Sequence, residues 1–165
     1  MTATGERREA TARWAGPVHA DLRRSLQAGA LIGIALMAGV DEIIFHQVLG
    51  WHHFYDRATP AIGLMTDGLL HAAELIALVA GFFLLAELRQ RQAFDRARAR
   101  AAFFLGAGGF QLFDGIVDHK LLRLHQIRYV DNLLPYDIAW NLSALIMLGI
   151  GLWLLARARK PQPGL

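Results

Sequence analysis

The chain has 165 residues, of which 55% are hydrophobic and 19% are charged. Soluble domains average about 45–50% apolar and about 25% charged residues, so this composition indicates a membrane protein. The sequence has no cysteine, which excludes a disulfide-stabilised secreted domain, thiolate metal sites and cysteine catalysis. The net charge of +3 does not indicate nucleic-acid binding, because the arginines occur in short clusters at the ends of apolar runs.

Four apolar segments follow one another along the chain, at about 26–49, 62–88, 101–124 and 138–156. Each is long enough to cross a hydrocarbon layer of about 30 Å as a helix, and strict alternation typical of barrel strands is absent. We therefore predict an all-α protein, a four-transmembrane-helix bundle at 26–158. A polar N-terminal tail at 1–25, expected to be mobile over its first 20 residues or so, and a C-terminal tail at 159–165 complete the chain. The pair Gly29 and Gly33 predicts close helix packing.

Lysine and arginine are distributed unequally between the two ends of these segments. The end that holds both termini carries 13 of them and the other end carries four, Arg57, Lys120, Arg123 and Arg128. Because positive residues are retained on the cytoplasmic side, we predict that both termini are cytoplasmic. Aromatic residues such as Trp51 and Trp140 at the other end are typical of a membrane interface.

An internal repeat divides the chain into two halves, at about 26–88 and 100–158. The segments 41–52 and 114–125 both read D-x-I-[IV]-x-H-x-[VL]-L-x-x-H, and the segments 67–71 and 137–141 both read D-x-x-x-[HN]. Agreement of aspartate and histidine at fixed spacing is improbable by chance. We therefore predict two tandem, pseudo-symmetric helical hairpins about an axis along the membrane normal.

Ionisable residues from all four segments fall in one layer on the non-cytoplasmic side. Such side chains are costly at bilayer depth and usually face a bundle interior or a wet cavity. The predicted metal ligands are Glu42, His46, His71, Glu74 and His119, supported by the carboxylates of Asp41, Asp67, Asp114 and Asp137. Residues three or four apart, such as His71 and Glu74, share a helix face. Asp41 and His46 are five apart and diverge by about 140° on an ideal helix, so both face one point only if the helix is bulged.

Imidazole and carboxylate ligands suit a transition metal ion, with zinc, iron, manganese and copper(II) all possible. The second half has Gly115, Asn141 and Ala144 at positions that correspond to Glu42, His71 and Glu74, which favours one ion or an asymmetric pair. Haem is less favoured because carboxylates crowd the layer. Redox chemistry, hydrolysis and metal handling all stay open, as does proton or quinone chemistry, so the sequence does not decide whether the protein is an enzyme.

Two further interpretations concern the charged and histidine residues near the loops. The competing function is a metal-free protein in which the polar layer is an ion-pair network, with Lys120 and Arg123 neutralising Asp114 and Asp118. The remaining histidines of this end are expected to be wet loop residues at the membrane interface, with an ion-entry role as the second interpretation: His52, His53 and His125.

The chain resembles a bacterial integral-membrane family known only as domain of unknown function 2243. The resemblance covers about 26–156 and is carried by FHQ-x-L-x-WHH within 41–56, DGLLH at 67–71, DG-x-x-DHK within 114–125, and PYD at 135–137. It implies a multi-pass protein of the bacterial inner membrane that contacts the lipid bilayer, and it leaves open a membrane protein partner or association with further copies of itself. Members occur beside respiratory-oxidase assembly genes, which implies a copper or redox context and makes a respiratory-complex assembly factor the alternative function.

Overall fold

The structure is a computed structural model that describes residues 19–158, so the predicted C-terminal tail and most of the predicted N-terminal tail lie outside the described residues. The described residues contain no strand, which confirms the all-α prediction for this part of the chain. Four α-helices and two π-helical segments follow in order: α1 (Leu22–Val40), π1 (Asp41–Val48), α2 (Pro60–Gln90), α3 (Arg96–Phe113), π2 (Asp114–Leu121) and α4 (Leu134–Ala158).

Helices α1 and α3 begin with the same kind of cap. The Asp21 carboxylate accepts a hydrogen bond of 2.9 Å from the backbone N–H of Arg24, and Asp95 does the same for Arg98. Such caps stabilise a helix by about 1 kcal/mol each. The backbone N–H of Asp95 also donates to the Ser25 hydroxyl at 2.9 Å, which ties the starts of the two helices together.

Helices α1 and α3 form the central pair of the bundle, and their contact is made by small residues. A Cβ atom on Gly29 or Gly33 would collide with the backbone of Ala99 or Phe103. The same holds at Gly106, where it would lie 2.5 Å from the carbonyl oxygen of Ala30. This agrees with the predicted close packing at the glycine pair. Helix α2 packs on α1, and α4 packs on α3.

Within residues 19–158, three helical segments are long and apolar enough to cross a membrane: α1 continued by π1 (Leu22–Val48), α2 and α4. Helix α3 is not among them, because Arg96, Arg98 and Arg100 lie in its first turns and several of its other residues are alanine or glycine. Large apolar side chains point outward, such as Ile76 and Phe83 at 71% and 73% exposed. An apolar exterior around an interior of small and polar residues is typical of a protein surrounded by lipid.

The two π-helical segments lie 73 residues apart and end in the same way. The backbone N–H of Leu49 donates to the carbonyl of Ile44 at 2.9 Å, and that of Leu122 donates to Val117 at 2.7 Å. In a π-helix these bonds join residues five apart, whereas an α-helix joins residues four apart. The segments are therefore the bulges that the spacing of Asp41 and His46 requires.

Candidate metal centre

Four histidine rings meet where the two π segments lead into the loops that follow them. His46 packs edge-on against His52 with ring centroids 4.5 Å apart, and His119 packs in the same way against His125 at 4.6 Å. His52 and His125 are stacked between these pairs, 4.6 Å apart with an interplanar angle of 4°. All four side chains are buried.

Each half of the chain adds one buried carboxylate to its own pair of rings. Asp41 Oδ2 lies 3.6 Å from Nε2 of His46, and its Oδ1 lies 4.0 Å from Nε2 of His52. In the other half, Asp114 Oδ2 lies 3.1 Å from Nε2 of His119, and Oδ1 lies 3.4 Å from Nε2 of His125. We call these six residues the histidine centre: Asp41, His46, His52, Asp114, His119 and His125.

The rings of His52 and His125 are oriented by hydrogen bonds that cross between the halves. Nδ1 of His52 donates to the carbonyl oxygen of Ile127, and Nδ1 of His125 donates to that of Phe54, both at 2.9 Å. With the proton on Nδ1, the lone pair of Nε2 is free to bind a cation. In both rings, Nε2 has no hydrogen-bond partner among the described residues.

The two stacked rings differ in how readily they take up a proton. Burial and, to a smaller extent, the neighbouring histidines lower the pKa of His52 to about 2, so this ring is neutral at physiological pH. Burial also acts to lower the pKa of His125, but the Asp114 carboxylate beside it outweighs burial and raises that pKa above the usual value.

The environment of the first half is richer in carboxylates than that of the second. Nδ1 of His46 lies 2.7 Å from Glu42 Oε2 and 3.2 Å from Asp67 Oδ1. Gly115 stands at the position that corresponds to Glu42, and a Cβ there would lie 2.6 Å from Asn141 Oδ1. Because glycine supplies no carboxylate in the place of Glu42, Nδ1 of His119 has no hydrogen-bond partner among the described residues. The two halves therefore present similar candidate ligand atoms, but only the first half has carboxylates within contact of Nδ1 of its histidine.

The spacing of the donor atoms fits a metal ion. Bonds of about 2.0–2.2 Å to one ion place neighbouring ligand atoms about 3–3.4 Å apart and opposite ones about 4 Å apart. The separations in each half span this range, and one ligand atom from each of His46, His52 and His125 lies within 4.8 Å of the others, which links the two halves. Asp114, His119 and His125 form a second group of this kind, and Glu42, His46 and Asp67 a third.

The cationic side chains lie elsewhere. Nζ of Lys120 is 2.7 Å from Asp137 Oδ2, a half-exposed pair beside the centre. Among residues 19–158, the carboxylates of Asp41 and Asp114 form ion pairs only with histidines. The neutralisation of Asp114 by Lys120 or Arg123 that the sequence allowed is therefore not observed.

The structure brings together some of the residues predicted from the sequence and separates others. Asp41, His46, Asp114 and His119 lie in the histidine centre, and Glu42 and Asp67 contact His46 from behind. His71 and Glu74 pair with each other at 2.6 Å on α2, with the side chain of His71 44% exposed, and Asp137 pairs with Lys120.

The expectation of wet loop histidines is wrong for His52 and His125, which are 4% and 2% exposed. Their loops fold inward because each ring bonds a carbonyl of the opposite loop. His53 stays half-buried, with Nδ1 2.6 Å from Asp67 Oδ2. The signal was present in the repeat, since His52 and His125 are the final histidine of each copy.

Comparison with known proteins adds a family but no characterised relative. No curated protein and no solved structure matches the chain. One family model, described as a predicted membrane protein, DUF2243, matches residues 28–158, which is most of the chain. The protein thus belongs to the DUF2243 family of predicted membrane proteins, whose function is unknown.

Proposed function

We propose that the protein binds a transition metal in the histidine centre. The observation that carries this proposal is the cluster of buried Nε2 atoms that have no hydrogen-bond partner among residues 19–158, two of them in rings fixed by crossed hydrogen bonds to backbone carbonyls. An unpaired buried polar atom costs about 1–3 kcal/mol, and several in contact point to a missing cation. The ligands would be four imidazoles and two carboxylates. Glu42 would fix the orientation of the His46 ring by accepting a hydrogen bond from its Nδ1, as carboxylates commonly do for metal-bound histidines.

The ligand chemistry favours zinc, iron, manganese or copper(II). Imidazole and carboxylate suit these ions, whereas copper(I) prefers thiolate or thioether ligands. Haem does not fit well, because the imidazole rings pack with centroids 4.5–4.6 Å apart and carboxylates lie beside their Nε2 atoms, which leaves no apolar space for a macrocycle. Such a centre supports redox chemistry, hydrolysis or metal handling for a partner, and its similar halves accommodate one ion or two.

We also propose that the chain crosses the bacterial inner membrane four times as two duplicated hairpins, with both termini in the cytoplasm. The recurrence of the π segments, carboxylate contacts and crossed hydrogen bonds at a spacing of 73 residues supports the duplication. Helix α3 would be the fourth span, covered by α1 and α4, which reduces its need for large apolar residues. Reporter fusions after residue 92 and after Leu165 test this, since both are expected to report the cytoplasm.

Elemental analysis of the detergent-purified protein tests the metal proposal. After loading with zinc, iron, manganese and copper in parallel and removal of free ions, we expect stoichiometric retention of at least one metal. The variant with His52→Asn and His125→Asn should retain none. If no metal is retained under any loading condition, the centre is a metal-free hydrogen-bond network and the alternative role as a structural or assembly protein is preferred.

A further inference from the structure

A second polar group lies outside the histidine centre, in a crevice between α1 and α2. The crevice has a volume of about 270 Å³, and its walls are apolar apart from His71 and Glu74. Its wall residues Leu36, Ile43 and Leu75 are 46–48% exposed, so the crevice opens on the apolar outer surface of the bundle. A molecule that enters it would come from the lipid phase.

The Glu74 carboxylate is the polar group in the crevice that indicates a bound ligand. The side chain is 95% buried, and Oε1 lies 2.6 Å from Nδ1 of His71. The other oxygen, Oε2, is buried without a hydrogen-bond partner among residues 19–158. An acyl chain in the crevice would leave this oxygen unpaired, at a cost comparable to a lost hydrogen bond. The occupant therefore needs an apolar body and a polar group at one end.

The crevice continues toward the histidine centre. A second cavity of about 330 Å³ is lined by Glu42 and Gln47, and it shares Ile43 and His71 with the first. Glu42 is hydrogen-bonded to His46, a residue of the centre, at 2.7 Å. A ring bound near His71 would thus be connected to the histidine centre through the Glu42 carboxylate, which contacts the imidazole of His46.

We propose that this crevice binds the head group of a membrane quinone or quinol. Such a molecule is apolar, dissolves in the bilayer, and carries ring oxygens that accept hydrogen bonds in the quinone and donate them in the quinol. Glu74 Oε2 accepts a hydrogen bond from a quinol hydroxyl. Nε2 of His71 accepts a hydrogen bond from a quinol when Nδ1 donates to Glu74, and it donates one to a quinone carbonyl when a protonated Glu74 donates to Nδ1. The wall residues of α1 and α2 contact the ring and the first part of the tail. This binding does not depend on a metal in the histidine centre.

Titration calorimetry with decylubiquinone tests the proposal on the full-length protein in lipid nanodiscs. We expect saturable binding that persists after treatment with a chelator. Glu74→Gln and His71→Ala should each weaken it at least tenfold. Gly39→Leu should abolish it, because a Cβ at Gly39 already lies 3.3 Å from Glu74 Oε1. Gly149→Leu is the matched control, since Gly149 has no neighbour within 4 Å of its Cβ position.

Competition with 1-decanol separates a quinone site from a lipid-filled groove. With radiolabelled decylubiquinone as the bound probe, we expect decanol to displace it only at concentrations at least tenfold higher than those at which unlabelled decylubiquinone does. Equal displacement, absence of saturable binding, or undiminished binding by Gly39→Leu would each overturn the proposal. Loss of metal without loss of quinone binding would affect only the proposed function, so the two proposals fail separately.

Discussion

Replacement of His52 by asparagine should remove one ligand of the histidine centre and leave the loop in place. The asparagine amide N–H₂ occupies the position of Nδ1 and keeps the hydrogen bond to Ile127, while Nε2 is lost. Structural zinc sites with four ligands are stabilised by about 10–16 kcal/mol, or about 2.5–4 kcal/mol per ligand. At about 1.4 kcal/mol per factor of ten, the metal affinity should fall about 10²–10³-fold.

Competition with a chromophoric chelator measures this affinity in detergent, and a thermal melt of the metal-free protein checks the fold. His125→Asn should give a loss within about tenfold of the first variant, because both rings have matching contacts. His53→Asn is the neighbouring control, since His53 contacts Asp67 outside the centre, and it should change the affinity less than tenfold. Unchanged affinity in both His52→Asn and His125→Asn, with folded protein, would refute the assignment of these ligands.

Three further changes test the support of the centre and the packing of the bundle. Glu42→Gln should lower metal affinity about 10–100-fold in the same chelator assay, because a neutral amide replaces the carboxylate that orients His46. An unchanged metal affinity would contradict that role of Glu42. Metal affinity should fall as the pH is lowered, and the fall should begin above pH 6.5, because Asp114 raises the pKa of His125 above that value and the proton must leave His125 before an ion binds. His125→Asn should flatten this dependence of affinity on pH. Gly33→Ala should destabilise the protein by about 1–3 kcal/mol and lower its Tm, because the new methyl group meets the backbone of Phe103, whereas Gly109→Ala in open space should not.

The sequence predicted the paired aspartates and histidines of the two π segments, because a repeat of polar residues within apolar helices is visible without a structure. It also indicated that Asp41 and His46 share a side only on a bulged helix, and the π segments meet this condition. It did not predict where the backbone hydrogen bonds change from joining residues four apart to joining residues five apart, since that depends on contacts with residues that are distant in the sequence.

The position of His71 depends on geometry that the sequence does not specify. Spacing on α2 places Asp67, His71 and Glu74 near one another, but small angular differences on a helix that is apolar on most sides determine which of them faces the centre. Asp67 contacts His46, whereas His71 and Glu74 face the crevice. His52 and His125 were misplaced for a different reason, because their burial depends on hydrogen bonds between residues more than 70 positions apart.

The crossed hydrogen bonds also have a consequence for biosynthesis. His52 is synthesised well before Ile127, whose carbonyl accepts the hydrogen bond from its Nδ1. The orientation of the His52 ring is therefore fixed only after the second loop has been translated and has folded. An ion captured by the nascent first half would meet an unfinished set of ligands. If the proposed metal binds here, its insertion should follow translation of the second loop, and a chain truncated before that loop should be expressed without metal.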